Sequence, residues 1–283
     1  MYFIDFHTHV YPDAIAPKAA DSIRKFYHLG DDYMDGRVET LLKYGTQAGV
    51  EKFVLLPVSL RPTNTRHIND FIIGEVAKQP RFFGYGTIHA GMQNLCEEVE
   101  YIMDHGLLGI KMHTDCQVFP IDDPRLFPVY DMAQDKLPIL FHMGDQRYDY
   151  SHPARLRKVL ELFPKLRVIA AHFGGYTMYD VAAEELKGKD CFFDVYGRGC
   201  GGTLHQPPWR GTVCLRQRLS YVESGGGDGA FPAVEADRCS ERTNCPSYGR
   251  ADSKSKIKEE GLAFLFLLFS SLCPAAEPSC SAQ

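Results

Sequence analysis

Apolar residues along this chain gather in short continuous runs of strand length. The runs are "YFIDFHT" (2–8), "KFVLLPV" (52–58), "FFGYGTIH" (82–89), "LLGIKMH" (107–113), "LPILFHM" (137–143), "LRVIAAH" (166–172) and "CFFDV" (191–195). Continuous rather than alternating apolar character suits strands buried on both faces, as in a parallel sheet. Between the runs lie stretches with helical spacing: "RVETLLKYGTQAG", "INDFIIGEVAKQ", "NLCEEVEYIMDHG", "DPRLFPVYDMAQ", "HPARLRKVLELFP" and "YDVAAEELKG". Proline or aspartate often opens these stretches and glycine often closes them, as expected of helix ends.

From the second run onward, strand starts fall 25 to 30 residues apart, the period of a βα unit. Seven such units fill about 195 residues, and a TIM (β/α)8 barrel takes ~250. The pattern therefore predicts an α/β fold of barrel type, with length left for one more unit. The rival is an open doubly wound sheet, which predicts a glycine-rich phosphate loop after the first strand. The turn at that place reads "HTHVYP" instead.

Polar chemistry concentrates at the ends of the predicted strands. His7 and His9 stand at i and i+2 on the first, so both project to one side. His89 ends the third strand, Lys111 and His113 the fourth, His142 the fifth and His172 the sixth. Active sites of barrels are built at this C-terminal face. A lone HxH fits two core histidines bonded to backbone carbonyls equally well. HxH together with single histidines ending the fifth and sixth strands points to a divalent metal, most readily zinc, with a coordination position left for water. Such an ion lowers the pKa of bound water to ~7. Lys111 reads as a partner of carboxylates or of a substrate anion. His113 and His89 read as pocket walls or supports, and Asp194 as an acceptor for an imidazole N–H. His28, His67, His105 and His152 read as loop or helix-surface residues, His152 in a loop within reach of the pocket.

Composition narrows the partners. The chain has 283 residues, 45% hydrophobic and 24% charged, with a net charge of −5. These are values of a soluble globular protein with no basic footprint for nucleic acid. The start, "MYFIDFHTHV", has neither the basic nor the long apolar region of a secretory signal, so the expected location is cytoplasmic. "GLAFLFLLF" (261–269) is too short to span a bilayer, which takes ~20 apolar residues. The nine cysteines form no CxxC pair and no regular zinc spacing, and no disulfide framework is expected. The expected partner is a small-molecule substrate, with no nucleic acid and no membrane. A homo-oligomer is compatible with the sequence and not required by it.

The stretches "IDFHTHVYP", "GIKMHTD", "LPILFHMGD", "HPARLRKVLELFPKLRVIAAHFGG" and "CFFDVYG" together resemble the amidohydrolase superfamily. They look most like the amidohydrolase-related branch that includes aminocarboxymuconate-semialdehyde decarboxylase. The resemblance covers about residues 2–197. It implies a (β/α)8 barrel with one divalent metal at its mouth, held by His7, His9 and His142. It implies that His172 binds the metal or polarises the substrate as a catalytic group. Some members carry a carboxylated lysine on the fourth strand. In this branch Lys111 is instead expected to touch substrate or support the ligands. The implied reaction is hydrolysis of a C–N or C–O bond in an amide, lactone or ester. The alternative is non-oxidative decarboxylation of a small carboxylic acid.

One departure stands out. The family ends its eighth strand with an aspartate in a "GSDYP"-like context, and no such motif exists here. Asp228, Asp237 and Asp252 have no strand-like run before them. Composition also changes near residue 197. Residues 1–197 hold twelve isoleucines and three serines, whereas 198–283 hold one and ten. The expected organisation is thus a seven-unit barrel over 1–197 and an atypical tail over 198–283. The tail reads as disordered or frame-shifted, and the chain as it stands as a broken relative with little activity. A shift of one base can recover the missing motif: "LRQRLSYVES" (215–224) becomes "FGSDYPMWNP" with permitted codons. In the same frame "GAFPAVEAD" becomes "ERFLRLKLT", an amphipathic last helix, and "PPWRGTVC" becomes "RHGVERFV". The direction of the shift implies one inserted base between roughly codons 194 and 200.

Overall fold

The computed structural model describes residues 4–29 and 35–194, together with the backbone of residues 214–217. Strands and helices alternate as the apolar pattern predicts. The strands are β1 (Ile4–Thr8), β2 (Lys52–Leu55), β3 (Phe82–Gly84), β4 (Gly86–Thr87), β5 (Ile110–Met112), β6 (Ile139–Phe141), β7 (Val168–Ala170), β8 (Cys191–Asp194) and β9 (Cys214–Gln217). The helices are α1 (Ala16–Tyr27), α2 (Val38–Gln47), α3 (Thr65–Lys78), α4 (Leu95–Asp104), α5 (Thr114–Gln117), α6 (Phe127–Ala133), α7 (Pro153–Leu162) and α8 (Tyr179–Glu185).

Pairing is parallel from β1 through β3 and again from β4 through β8. β3 and β4 are two parts of one expected strand, split at Tyr85. The Tyr85 N–H donates to Leu55 O at 3.0 Å, and the Gly86 N–H donates to Gly109 O at 2.8 Å. The chain thus hands over from β2 to β5 within one residue, and the two ladders form one run of parallel strands.

Two apolar clusters follow from the pleat, which sends alternate side chains to opposite faces. The larger lies under the helices and includes Phe53, Leu55, Ile110, Ile139, Phe141 and Val168. The smaller joins Phe6 of β1, Val54 of β2 and Tyr85 to Leu140 of β6 and Ile169 of β7. Contact between first and late strands on that second face means the sheet curls onto itself.

Two features bear on the expected barrel with its eighth unit lost. No closed ring of strand pairing is found among the described residues. The last neighbour is also not an eighth parallel strand: β9 pairs antiparallel with β8, Asp194 opposite Cys214. Apart from the backbone of β9, the tail expected over 198–283 lies outside the described residues. Helix α1, which buries Ala16 and Ala20, carries a proline in its first turn and a left-handed cap at His28, and it was not among the expected helices. No helix among the described residues is long and apolar enough to cross a membrane.

Candidate metal centre

The strand ends deliver their polar groups to one place. His7 belongs to β1 and His9 follows it, Lys111 is in β5 with His113 just beyond, His142 follows β6, His172 follows β7, and Asp194 closes β8. The imidazoles form a continuous chain of contacts. Ring centroids are 5.1 Å apart for His9 and His7, 5.3 Å for His7 and His172, 4.6 Å for His172 and His142, and 3.8 Å for His142 stacked on His113.

Backbone and carboxylate groups fix these rings. His7 Nδ1 meets Asp194 Oδ2 at 2.8 Å, and His9 Nδ1 meets the Leu56 carbonyl at 2.6 Å. An acceptor on one imidazole nitrogen selects the tautomer whose other nitrogen is a Lewis base, the arrangement that commonly supports metal-bound histidines. Asp194 also accepts the His172 backbone N–H on Oδ1 at 2.7 Å. That contact anchors a strained turn, because His172 (φ 59°) and Phe173 (φ 54°) both lie in the left-handed region. Such a conformation costs a side-chain-bearing residue roughly 1–2 kcal/mol. Gly144 and Gly175 let the loops after β6 and β7 touch, since a Cβ on Gly144 would stand 2.3 Å from the Gly175 Cα.

Burial sets the electrostatics. Burial and then the nearby Lys111 ammonium hold His7 well below the usual imidazole range. Burial does most to lower His9, His113 and His142, with neighbouring imidazoles and Lys111 adding to it. All four are therefore neutral, the form that ligates metals. Lys111 is fully buried, and burial pushes it down to about 8. Its Nζ has no hydrogen-bond partner among the described residues, and neither has the buried Nε2 of His142.

Several site groups carried no signal in the strand pattern. Tyr27, at the end of α1, sets its hydroxyl 2.5 Å from His113 Nε2 and 3.5 Å from His142 Nδ1. Tyr176 lies against His142, His172 and Tyr27, with centroid separations of 5.6, 5.2 and 5.4 Å. Asp115, in the first turn of α5, stands 3.9 Å from His142 Nε2 through Oδ2. Its carboxylate accepts from the Ser151 N–H at 3.1 Å and the Ser151 hydroxyl at 2.6 Å. Burial raises Asp115 to about 7. His113, Asp115 and His142 each offer a donor atom within 4.8 Å of the other two, whereas the sequence reading grouped His142 with His7 and His9. The H-x-D spacing at 113–115 was a usable signal for Asp115; nothing in the pattern marked Tyr27.

The remaining histidines stand apart. His89 is only half-buried; its Nδ1 accepts from the Gly91 N–H at 3.0 Å and its ring packs on Phe119. These contacts lead away from the imidazole chain rather than into it. His152 caps α7 by accepting the Ala154 N–H at 3.1 Å.

A family model described as "Amidohydrolase" matches residues 4–219, about three quarters of the chain. The chain therefore belongs to the amidohydrolase family, whose activities are metal-dependent hydrolysis and decarboxylation.

Proposed function

We propose that this amidohydrolase is a metal-dependent hydrolase of a C–N or C–O bond, in an amide, lactone or ester of a small molecule. The proposed scaffold is a (β/α)8-type barrel whose eighth unit is lost from the reading frame. One observation carries the reading: His142 Nε2 is buried without a partner among the described residues, in a cluster where His7 and His9 each have Nδ1 fixed by an oxygen. A buried nitrogen left unpaired costs ~1–3 kcal/mol, a cost that a bound cation removes. The cluster suits a divalent ion, and by analogy with the family His7, His9 and His142 are its proposed holders, although the described donor atoms within 4.8 Å of one another are those of His113, Asp115 and His142. When bound, such an ion supplies Lewis acidity, polarising a carbonyl and acidifying a water.

The chain's own groups do the rest. His172 Nε2 lies 2.9 Å from His142 Nδ1, so an imidazole able to carry a proton adjoins a proposed metal holder. Lys111 offers a buried ammonium to an anionic group of the substrate or to charge developing on oxygen. Asp194 holds His7 and the His172 turn in place. The Tyr27 and Tyr176 rings wall the pocket and exclude water. The substrate is a small molecule, with no nucleic acid or membrane partner, and the working location is the cytoplasm.

The same Lys111 favours a second reading, decarboxylation, because a buried cation suits a substrate carboxylate. Release of CO2 on turnover decides for it against hydrolysis.

The test uses two polypeptides, this chain and the version with one base removed near codons 194–200, each assayed with zinc or manganese against lactones and amides. The reframed protein is expected to turn over and this chain to do little. Robust turnover by this chain means that another residue supplies the proton-handling carboxylate. Stop codons in the shifted frame, or absence of Gly-Ser-Asp-Tyr-Pro from it, end the frame-shift reading.

A further inference from the structure

Helix α1 ends against the imidazole cluster at Tyr27, yet it buries little of itself: of its twelve residues only Ala16 and Ala20 are buried. Its C-terminal end is gripped by one side chain from the loop after β6. Arg147 donates from Nε and Nη2 to the two oxygens of buried Asp145, at 3.0 and 2.6 Å, and from Nη1 to the Phe26 carbonyl at 2.6 Å. The guanidinium also lies 4.8 Å from the Phe26 ring centroid and 5.4 Å from that of Tyr148, and those two rings stack at 5.6 Å. A planar fork bonded along two edges fixes the carbonyl in a way that a single ammonium does not.

The grip places Tyr27, the next residue. His113 Nδ1 accepts the Cys116 N–H at 3.4 Å, which leaves the proton on Nε2, and that N–H donates to the Tyr27 hydroxyl at 2.5 Å. The Cys116 thiol lies 3.5 Å from the same nitrogen. Phenol and thiol thus meet at one imidazole edge.

We propose that Arg147 is a positioning residue, which latches the end of α1 so that Tyr27 closes the imidazole cluster, and whose release opens the cluster to small molecules. The latch acts on the backbone one residue before Tyr27. Loss of its bond to the Phe26 carbonyl therefore frees the phenol without disturbing the strands that carry the histidines. Its bearing on turnover rests on the proposed function, whereas the closure itself is read without metal or substrate.

The experiment measures, peptide by peptide in a mass spectrometer, how fast N-ethylmaleimide alkylates Cys116, Cys96 and Cys191 in the folded, metal-free full chain. Cys96 is half-buried in α4 and Cys191 is buried in β8, so they report loosening elsewhere. Arg147→Ala should raise the Cys116 rate about tenfold, the order expected for one charge-assisted hydrogen bond, and leave Cys96 and Cys191 unchanged. Tyr27→Ala should raise it at least as much, and the double variant should be no faster than the faster single, because both remove one closure. Arg147→Lys keeps a cation beside Asp145 but cannot span both contacts, so it should open the cluster too. A wild-type Cys116 rate in both Arg147 variants overturns the latch. So does a rise matched at Cys191 in both, or effects that multiply in the double variant. None of these outcomes touches the metal reading, which zinc binding by wild type and by His7→Ala/His9→Ala tests separately.

Discussion

The two flanks of the imidazole cluster are built by different rules. On the β1 flank, His7 and His9 ride on or beside a strand, and each Nδ1 is held by one oxygen, from Asp194 or from the Leu56 carbonyl. On the β5–β6 flank, His113, Asp115 and Tyr27 come from loop residues and from helices α5 and α1, and His142 keeps a buried nitrogen without a partner among the described residues. Strands fix direction cheaply because the sheet ladder already orders their backbone. Loop groups need helper contacts such as those of Ser151. The β1 flank is thus pre-set for a ligand, and the β5–β6 flank is held by side-chain contacts that a ligand can replace.

The sharpest way to break this contrast is to remove the strand-borne pair. His7→Ala/His9→Ala should weaken zinc at that position by ~10⁴-fold, or ~5.5 kcal/mol. Calorimetric titration with zinc reads the loss. Next in size is Asp194→Ala. This buried carboxylate serves both His7 and the His172 N–H, so its loss removes a buried acceptor from each, at ~1–3 kcal/mol per contact. Urea unfolding should show that loss, and zinc affinity should fall ~10–100-fold. Asp194→Asn, which still accepts the His172 N–H, should recover part of the stability and little of the affinity.

Acid distinguishes the flanks less and tests their shared burial. The folded forms of His7, His9, His113 and His142 have pKa values well below 6.5, so below that pH the unfolded chain binds protons that the folded chain does not. Stability of the metal-free protein should be full above pH 6.5 and fall as pH drops, by up to ~1.4 kcal/mol per pH unit for each imidazole. Denaturant titrations from pH 8 to 5 measure the slope; a flat profile contradicts the neutral, buried state. The smallest effect belongs to the strained turn. Phe173 has φ 54° and is partly exposed, so Phe173→Gly should raise stability by up to ~1 kcal/mol. A clear loss would mean that its packing outweighs the strain.

Legibility in the sequence follows the same division. The parallel strands and six of the helices were readable because continuous apolar runs and amphipathic stretches report burial directly. His7, His9, His142, His172, Lys111 and Asp194 were readable because a strand end fixes which groups meet. Tyr27 was not, since it stands at the end of a helix rather than of a strand. Asp115 was passed over although it stands two residues after His113. His89 ends a strand-like run, but its local contact with Gly91 turns the ring aside. The antiparallel β9 was not readable either, because strand direction is set by pairing partners and not by local composition.

The most direct measurement is X-ray absorption spectroscopy at the zinc edge on the stoichiometrically loaded full chain, compared with His7→Ala/His9→Ala. The account predicts nitrogen neighbours at ~2.0–2.1 Å, with imidazole outer-shell scattering that drops in the double variant. A wild-type spectrum showing only oxygen neighbours, or one unchanged by the double substitution, contradicts it.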